Sequence, residues 1–372
     1  MDSALAKIPA QERVKKTLNN FLQSKQIPHA LLFSGPEGVG KDNTAIQFAK
    51  ALAQSEGNFD ADKARRMLEQ LQEPYIKLVF PLPRGKNELD KSSPTEKLTQ
   101  DELELVREQI ELKSKNPFHK FSIPKANFIK INSIREIKKF LSMDFQEINH
   151  RIILISDAHL MNEESQNALL KSLEEPPEKV IIILTTPFAT KLRSTIISRC
   201  WRIYFDPLDE EIIAEILVEY FKVDKTSAME VAPFAAGSVH YALKLIDIDF
   251  HNLKEKTISI LRYSLGRKFN SAFDELNSVL SDKFSETYPI IITMILTWLN
   301  DIQKHRLNTG RYFFKNHLDT LEKFNSKFPD ADISEITTHL DRLSNLPRSN
   351  INNSLLAASL IFELAGVVLK KQ

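Results

Sequence analysis

Gly35-Pro-Glu-Gly-Val-Gly-Lys-Asp42 is the stretch from which this chain is read. It follows the phosphate-loop pattern G-x-x-x-x-G-K-S/T through Lys41 and breaks it at Asp42. The glycines let backbone N–H groups turn inward around phosphates, and the lysine supplies a point charge. Asp42 stands where the pattern needs a Mg²⁺-holding hydroxyl. Its carboxylate repels a triphosphate unless a metal lies between them. Gly35, Gly38, Gly40, Lys41, Asp42 and the following Asn43 are therefore the candidate nucleotide-binding residues. Before them, Ala30-Leu-Leu-Phe33 is a short apolar run and reads as a buried parallel strand. After them, Thr44 to Ala53 has helical spacing, with Ile46, Ala49 and Ala53 on one face. Strand, glycine loop and helix N-terminus come in the order that phosphate binding requires. The plain alternative is a glycine turn between strand and helix that holds no ligand.

Working outward, strands alternate with helices. A helix is predicted near Ala10 to Ser24, and Phe128–Ile131 is strand-like. Ser133 is placed to cap a helix, with Glu136 in the capping-box position. Arg151–Asp157 and Lys179–Thr186 are further β-branched runs, Asn162–Glu175 reads as a helix ending at Pro176-Pro177, and Trp201–Phe205 is a last strand. This alternation predicts an α/β fold with a doubly wound parallel sheet. Residues 54–127 read as an irregular insert: residues 84–97 form a polar, turn-rich loop expected to be mobile, and Gln100–Ser114 a solvated, charged helix. After Pro207 the strands stop. The expected division is an α/β domain over 1–206, a small helical lid over 207–248 and a helical domain over 249–372.

The 372 residues are too many for one ordinary core. Fifty Lys+Arg against 49 Asp+Glu leave a net charge of +1, so no global basic field points to nucleic acid. A single cysteine, Cys200, excludes an internal disulfide and a cysteine-rich zinc site, which suits a reducing cytoplasm. No apolar run approaches the ~18 residues of a membrane span, and the first residues lack the pattern of a signal peptide. Cytoplasmic localisation is the expectation.

At the end of the 151–157 run, Ser156-Asp157-Ala158-His159 holds an aspartate where phosphate-loop ATPases position Mg²⁺, but Ala158 where they place a water-polarising glutamate. Aspartate at a strand end is equally a cap or turn residue. His159 could act as a base, but a histidine at a strand–helix junction is more commonly structural.

Residues 27–41, 155–177 (Ile155-Ser-Asp-Ala-His-Leu-Met onward to Pro177) and Thr195-Ile-Ile-Ser-Arg-Cys200 together resemble the clamp-loader subunits of bacterial DNA polymerase III, of the AAA+ class. The similarity is nearer the delta-prime type than the ATP-hydrolysing gamma/tau type. It implies a RecA-like sheet domain, a helical lid and a helical collar that drives assembly, with Asn350–Glu363 as the oligomerising helix. It implies gamma/tau-like and delta-like subunits, a sliding clamp and primed DNA as partners. By this resemblance Asp157 matches the Mg²⁺ aspartate and Thr185 or Thr186 the γ-phosphate sensor, with Thr186 the chosen site residue. His240 falls where active subunits carry a second-sensor arginine. Arg199 matches an arginine finger that reaches a neighbour's ATP, a role in which a guanidinium neutralises charge on the transferred phosphoryl group. Otherwise Arg199 is a surface or salt-bridged arginine.

Related subunits carry a four-cysteine zinc module after the phosphate-loop helix; this chain has none, and no zinc or other metal is expected. ATP is possible at a degenerate site, and Mg²⁺ only with it. Asp42, Ala158 and His240 all weaken self-contained hydrolysis while Arg199 is kept. Thr44 is a substitute hydroxyl only on the wrong face of its helix. The expected protein completes a neighbour's active site. One rival is a self-contained ATPase using Glu163 or Glu164; the other is a scaffold indifferent to nucleotide.

Overall fold

Near-continuous apolar runs make strands that can be covered on both faces, and three such strands form the centre of a five-stranded sheet. The computed structural model describes residues 4–55, 61–89, 92–142, 150–176, 178–280, 284–345 and 352–369. Two units emerge, Met1–Ala242 and Leu243–Gln372.

In the first unit the order is α1 (Glu12–Ser24), β1 (Ala30–Ser34), α2 (Lys41–Ser55), α3 (Ala61–Glu69), β2 (Ile76–Val79), α4 (Gln100–Lys115), α5 (Ile131–Ser142), β3 (Arg151–Ile155), α6 (Glu163–Glu174), β4 (Val180–Thr186), α7 (Ser194–Ile197), β5 (Trp201–Tyr204), α8 (Glu210–Phe221), α9 (Lys225–Val231) and α10 (Val239–Asp247). The sheet runs β2-β3-β4-β1-β5, and all its pairings are parallel. β1, β3 and β4 are buried throughout, whereas the edge strand β5 exposes Trp201, Arg202 and Tyr204. One face packs Ile134, Ile137 and Phe140 of α5 and Leu169 and Leu173 of α6 against Ile153, Ile155, Ile182 and Leu184. The RecA-like sheet domain implied by the sequence is what forms, and β1 lies inside the sheet with the phosphate loop at its C-terminal end.

Three local expectations are corrected. The insert contributes to the sheet, because Ile76-Lys-Leu-Val79 pairs with Ile152–Ile155 as edge strand β2. Phe128–Ile131 makes only an isolated bridge, Ile129 to Met161, since α5 already begins at Ile131. For the same reason Ser133 lies inside the first turn of α5 rather than capping it.

The expected mobile loop is tied to the domain wherever it is described; Asp90 and Lys91 lie outside the described residues. Glu88 and Lys130 are both buried and pair at 2.8 Å. The Lys130 ammonium also donates to the carbonyls of Pro83 (3.0 Å) and Pro94 (2.7 Å), and Asn132 donates to Glu88. Burial opposes ionisation of Glu88, but Lys130, the Gly85 N–H and Asn132 outweigh it and hold the carboxyl below its ordinary range. A buried pair of this kind becomes costly once one partner is removed.

The second unit is helical: α11 (Phe250–Leu265), α12 (Phe269–Leu280), α13 (Phe284–Arg306), α14 (Leu318–Lys327), α15 (Ile333–Asn345) and α16 (Asn353–Leu369). The apolar stretch 288–299 is a core helix, with Tyr288, Ile291, Ile295 and Trp298 fully buried. Buried Asp301 accepts from the backbone N–H groups of Phe313 and Phe314, both at 2.8 Å. Asn350 and Ile351 of the expected oligomerising helix lie outside the described residues; from Asn353 the helix is present as α16. Among the described residues no helix is long and apolar enough to cross a membrane.

Replacing Lys130 by Met should destabilise the first unit by about 3–5 kcal/mol at neutral pH, because Glu88 is left charged and buried. The native pair contributes above the unfolded carboxyl pKa, and that contribution fades as pH falls through the folded one. The difference between K130M and the native chain, read by urea denaturation, should therefore shrink in acid.

Candidate phosphate-loop site

The loop between β1 and α2 takes the expected path, with Gly35, Gly38 and Gly40 at φ values of +143°, +74° and +88°. Two of these glycines are also required for packing. A Cβ on Gly35 would lie 2.3 Å from the Phe205 carbonyl, and one on Gly38 would lie 2.7 Å from the His240 nitrogen. The loop is thus clamped by the end of β5 on one side and the start of α10 on the other.

Lys41 opens α2, but its ammonium turns back onto its own loop and donates to the carbonyls of Gly35 (2.8 Å) and Pro36 (2.5 Å). Burial pushes its pKa down to about 8, although Asp42 and Asp157 pull the other way. Asp42, in the first turn of α2, accepts from Thr185 Oγ1 (2.7 Å) and Ser156 Oγ (3.0 Å) and pairs with the Lys113 ammonium (2.8 Å). Burial alone would raise the Asp42 pKa; the charge and hydrogen bond of Lys113, with the two hydroxyls, lower it overall. Asp157 ends β3 in the left-handed region and lines the same space, without a side-chain cap. Burial and then the Asp42 charge raise its pKa.

The other expected residues are distributed differently. Thr186 lies one residue beyond Thr185 on β4, so it faces the other way, and its hydroxyl accepts from the Phe188 N–H. Thr185 is the threonine that reaches the loop. Asn43 is buried against Gln47 and does not line the site, and neither does Thr44. Glu163 and Glu164 are exposed on α6, and Glu163 pairs with Arg193. Neither lines the space beside Asp157. His159 is half-buried beside Phe188, and burial pushes its pKa to about 4. Arg199 does not line the space at the loop. It sits after α7, half-exposed, with one guanidinium nitrogen 2.8 Å from Glu174 and another donating to the Thr195 carbonyl at 2.9 Å. Its neighbour Cys200 is buried, which raises the thiol pKa to about 12.

The sequence reading missed what faces the loop from the insert. Val106, Gln109 and Lys113 share the buried face of α4. The Lys113 ammonium bonds both Asp42 and the carbonyl of His119 (2.7 Å). Gln109 accepts from the Ser122 N–H at 2.9 Å and meets His119 Nε2 at the same distance. Phe118 lies over Gly40, where an added Cβ would be 3.1 Å from the ring. His240 Nε2 meets the Phe118 carbonyl at 2.9 Å. Glu37 pairs with Lys120 and is 3.8 Å from His240; these two hold its pKa well below the usual carboxylate range. The signal for this arrangement was a lysine on the apolar stripe of an otherwise charged helix.

What remains is a space of about 50 Å³ lined by loop, Lys113, the 117–121 segment, Asp157, Thr185 and His240. Small-molecule sites are on the order of 300–1,000 Å³. Lys113 and Lys120 already answer Asp42 and Glu37. The residues present do not fit a nucleotide with its metal: the lysine of the motif is spent on its own loop, and Asp42 and Glu37 are already paired with lysines.

The family described as DNA polymerase III, delta subunit, matches residues 10–209. The tau subunit of DNA polymerase III from Bacillus subtilis (strain 168) is 29% identical over 64% of this chain and 36% of its own length. The tau subunit from Escherichia coli (strain K12) is 31% identical over 65% of this chain and 32% of its own. The delta-prime subunit from Bacillus subtilis (strain 168) is 27% identical over 56% of this chain and 51% of its own. The chain thus spans about a third of the length of these tau subunits.

A buried lysine with a depressed pKa binds fewer protons folded than unfolded. Folding is therefore penalised while Lys41 must be charged, and the penalty is relieved as pH rises from about 8 to about 10.5. Lys41→Met removes this dependence. The native chain should gain thermal stability relative to K41M across that window, as measured by calorimetry at matched ionic strength.

Proposed function

Because the chain belongs to the DNA polymerase III delta-subunit family of clamp-loader AAA+ proteins, we propose that it is a delta-prime-like subunit that lends Arg199 to a neighbouring subunit's ATP and hydrolyses none itself. The observation that carries this reading is the separation of the two features. The cradle is filled from within, while Arg199 stands half-exposed outside it in the Ser198-Arg199-Cys200 turn. Ala158 is fully buried where a water-polarising glutamate would stand, and the rival candidates Glu163 and Glu164 are exposed and do not line the space. Among the described residues, Arg199 is held by Glu174, itself half-exposed, and by the Thr195 carbonyl. Exposed ion pairs of this kind are worth little, so the guanidinium is easily released to a stronger anion. At a neighbour's triphosphate it would neutralise the charge on the transferred phosphoryl group.

The proposed partners are gamma/tau-like and delta-like subunits, with the sliding clamp and primed DNA engaged by the assembled complex in the cytoplasm. A net charge of +1 suits a subunit that contributes only part of a phosphate-contacting surface. For assembly, α16 offers Leu355 and Phe362, both exposed and seven residues apart on one face of the helix. ATP in this chain's own cradle, and Mg²⁺ with it, form no part of the reading.

In a complex reconstituted with gamma/tau-like and delta-like subunits, Arg199→Ala should lower ATP turnover about a thousandfold at the site it serves. The isolated chain's thermal stability should be unchanged. Normal turnover and clamp loading with R199A would leave a pure scaffold. Steady hydrolysis by the purified chain, abolished by Lys41→Ala, would overturn the reading altogether.

A further inference from the structure

We propose that residues 113–121 are a built-in occupant of the phosphate cradle, which fastens the helical segment at the start of α10 to the sheet without nucleotide. In working phosphate loops a divalent cation bridges the loop hydroxyl, the strand-end aspartate and the phosphates. Here a cation comes from the chain itself. The Lys113 ammonium is almost wholly buried, bonded to Asp42 at 2.8 Å and to the His119 carbonyl at 2.7 Å. It answers a carboxylate that stands where the motif needs a hydroxyl. A buried Asp42 without it would be strongly destabilising.

The rest of the segment is fixed at several points. Gln109, one turn before Lys113 on α4, holds the backbone of Ser122. Asn116 accepts from the Phe118 N–H at 3.0 Å and closes the turn. The Phe118 ring packs on Gly40 and, at 5.3 Å between centroids, on Tyr220 of α8. The Phe118 carbonyl meets His240, and Lys120 pairs with Glu37 on the loop. On the far side, the Val239 N–H donates to the Gly38 carbonyl at 3.4 Å. The segment therefore touches loop, α8 and α10 at once, using an aromatic ring, a cation and a carbonyl. A nucleotide would have to displace all of these contacts and separate the ion pairs before entering. The proposal concerns this chain's own cradle and is independent of what Arg199 does elsewhere.

The test uses the full chain, with a fluorescent ATP analogue and Mg²⁺ as the probe and hydrogen exchange as the second readout. The native chain should show no saturable binding up to millimolar probe. Its amide protection over 35–42, 113–121 and 238–242 should be the same with and without the probe. Lys113→Met should raise exchange in 35–42 and 238–242 by roughly tenfold or more, while β1 and β4 stay protected. Adding Asp42→Asn should restore most of that protection, because the orphaned charge is gone. This double variant also serves if K113M alone fails to fold. Saturable binding to the native chain with loss of protection over 113–121 would show a displaceable lid and overturn the proposal. So would a K113M chain whose loop and α10 amides exchange as in the native one.

Discussion

A carboxylate in the first turn of a phosphate-loop helix, beneath two strand ends and with only 19% of its side chain exposed, is best neutralised where it stands. Helix dipole and hydroxyl donors help, and Asp42 has Thr185 and Ser156. They do not offset the cost of burying a full charge, so a cation must be brought in. Lys113 is that cation, and its arrival organises much of the first unit. It draws α4 down onto the loop, which places the 116–122 turn over Gly40 and within reach of His240. One substitution in an eight-residue motif thus accounts for the packed position of the segment that faces it.

Sheet strands were legible because strands buried on both faces carry a local mark, a near-continuous apolar run. Residues 30–34, 151–155 and 180–186 all have it. Ile76-Lys-Leu-Val79 lacks it: an edge strand of four residues, with a lysine in the middle, looks like loop until β3 is there to pair with it. The same holds at the site. Lys41, Asp42 and Asp157 were found because motif position places them near one another. Thr185 and Thr186 were separated only by the pleat, which sends neighbours to opposite faces. Lys113 and Phe118 lie 71 and 78 residues from Asp42 and Gly40, as 113 − 42 and 118 − 40, and no local period reports on a pairing across that separation. The insert looked solvated because most of α4 is; only its Val106–Gln109–Lys113 face is not.

A glycine motif carries two kinds of information, and here they come apart. Gly35 and Gly38 have positive φ, as a phosphate cradle needs, yet each is also required by close approach of backbone from β5 and α10. Packing of this kind keeps the loop's shape with no ligand to select it. The loop is therefore strong support for the strand–loop–helix fold and weak support for a bound nucleotide, in keeping with the space of about 50 Å³ left within it.

The consequence for assembly follows from where the charges end. Within the cradle, Lys113 and Lys120 pair with Asp42 and Glu37, and Lys41 is turned onto its own loop, so the three ammonium groups are held by the chain itself. Arg199 belongs to a different surface and has one exposed carboxylate partner. A group held that lightly responds to whatever anion a neighbour brings, whereas the buried network responds to nothing outside the chain. A subunit built in this way keeps its own domain geometry constant while the chemistry beside it changes. In the proposed assembly such constancy has a use, because there a fixed guanidinium would serve a neighbour's triphosphate best if the domain carrying it followed no nucleotide cycle of its own.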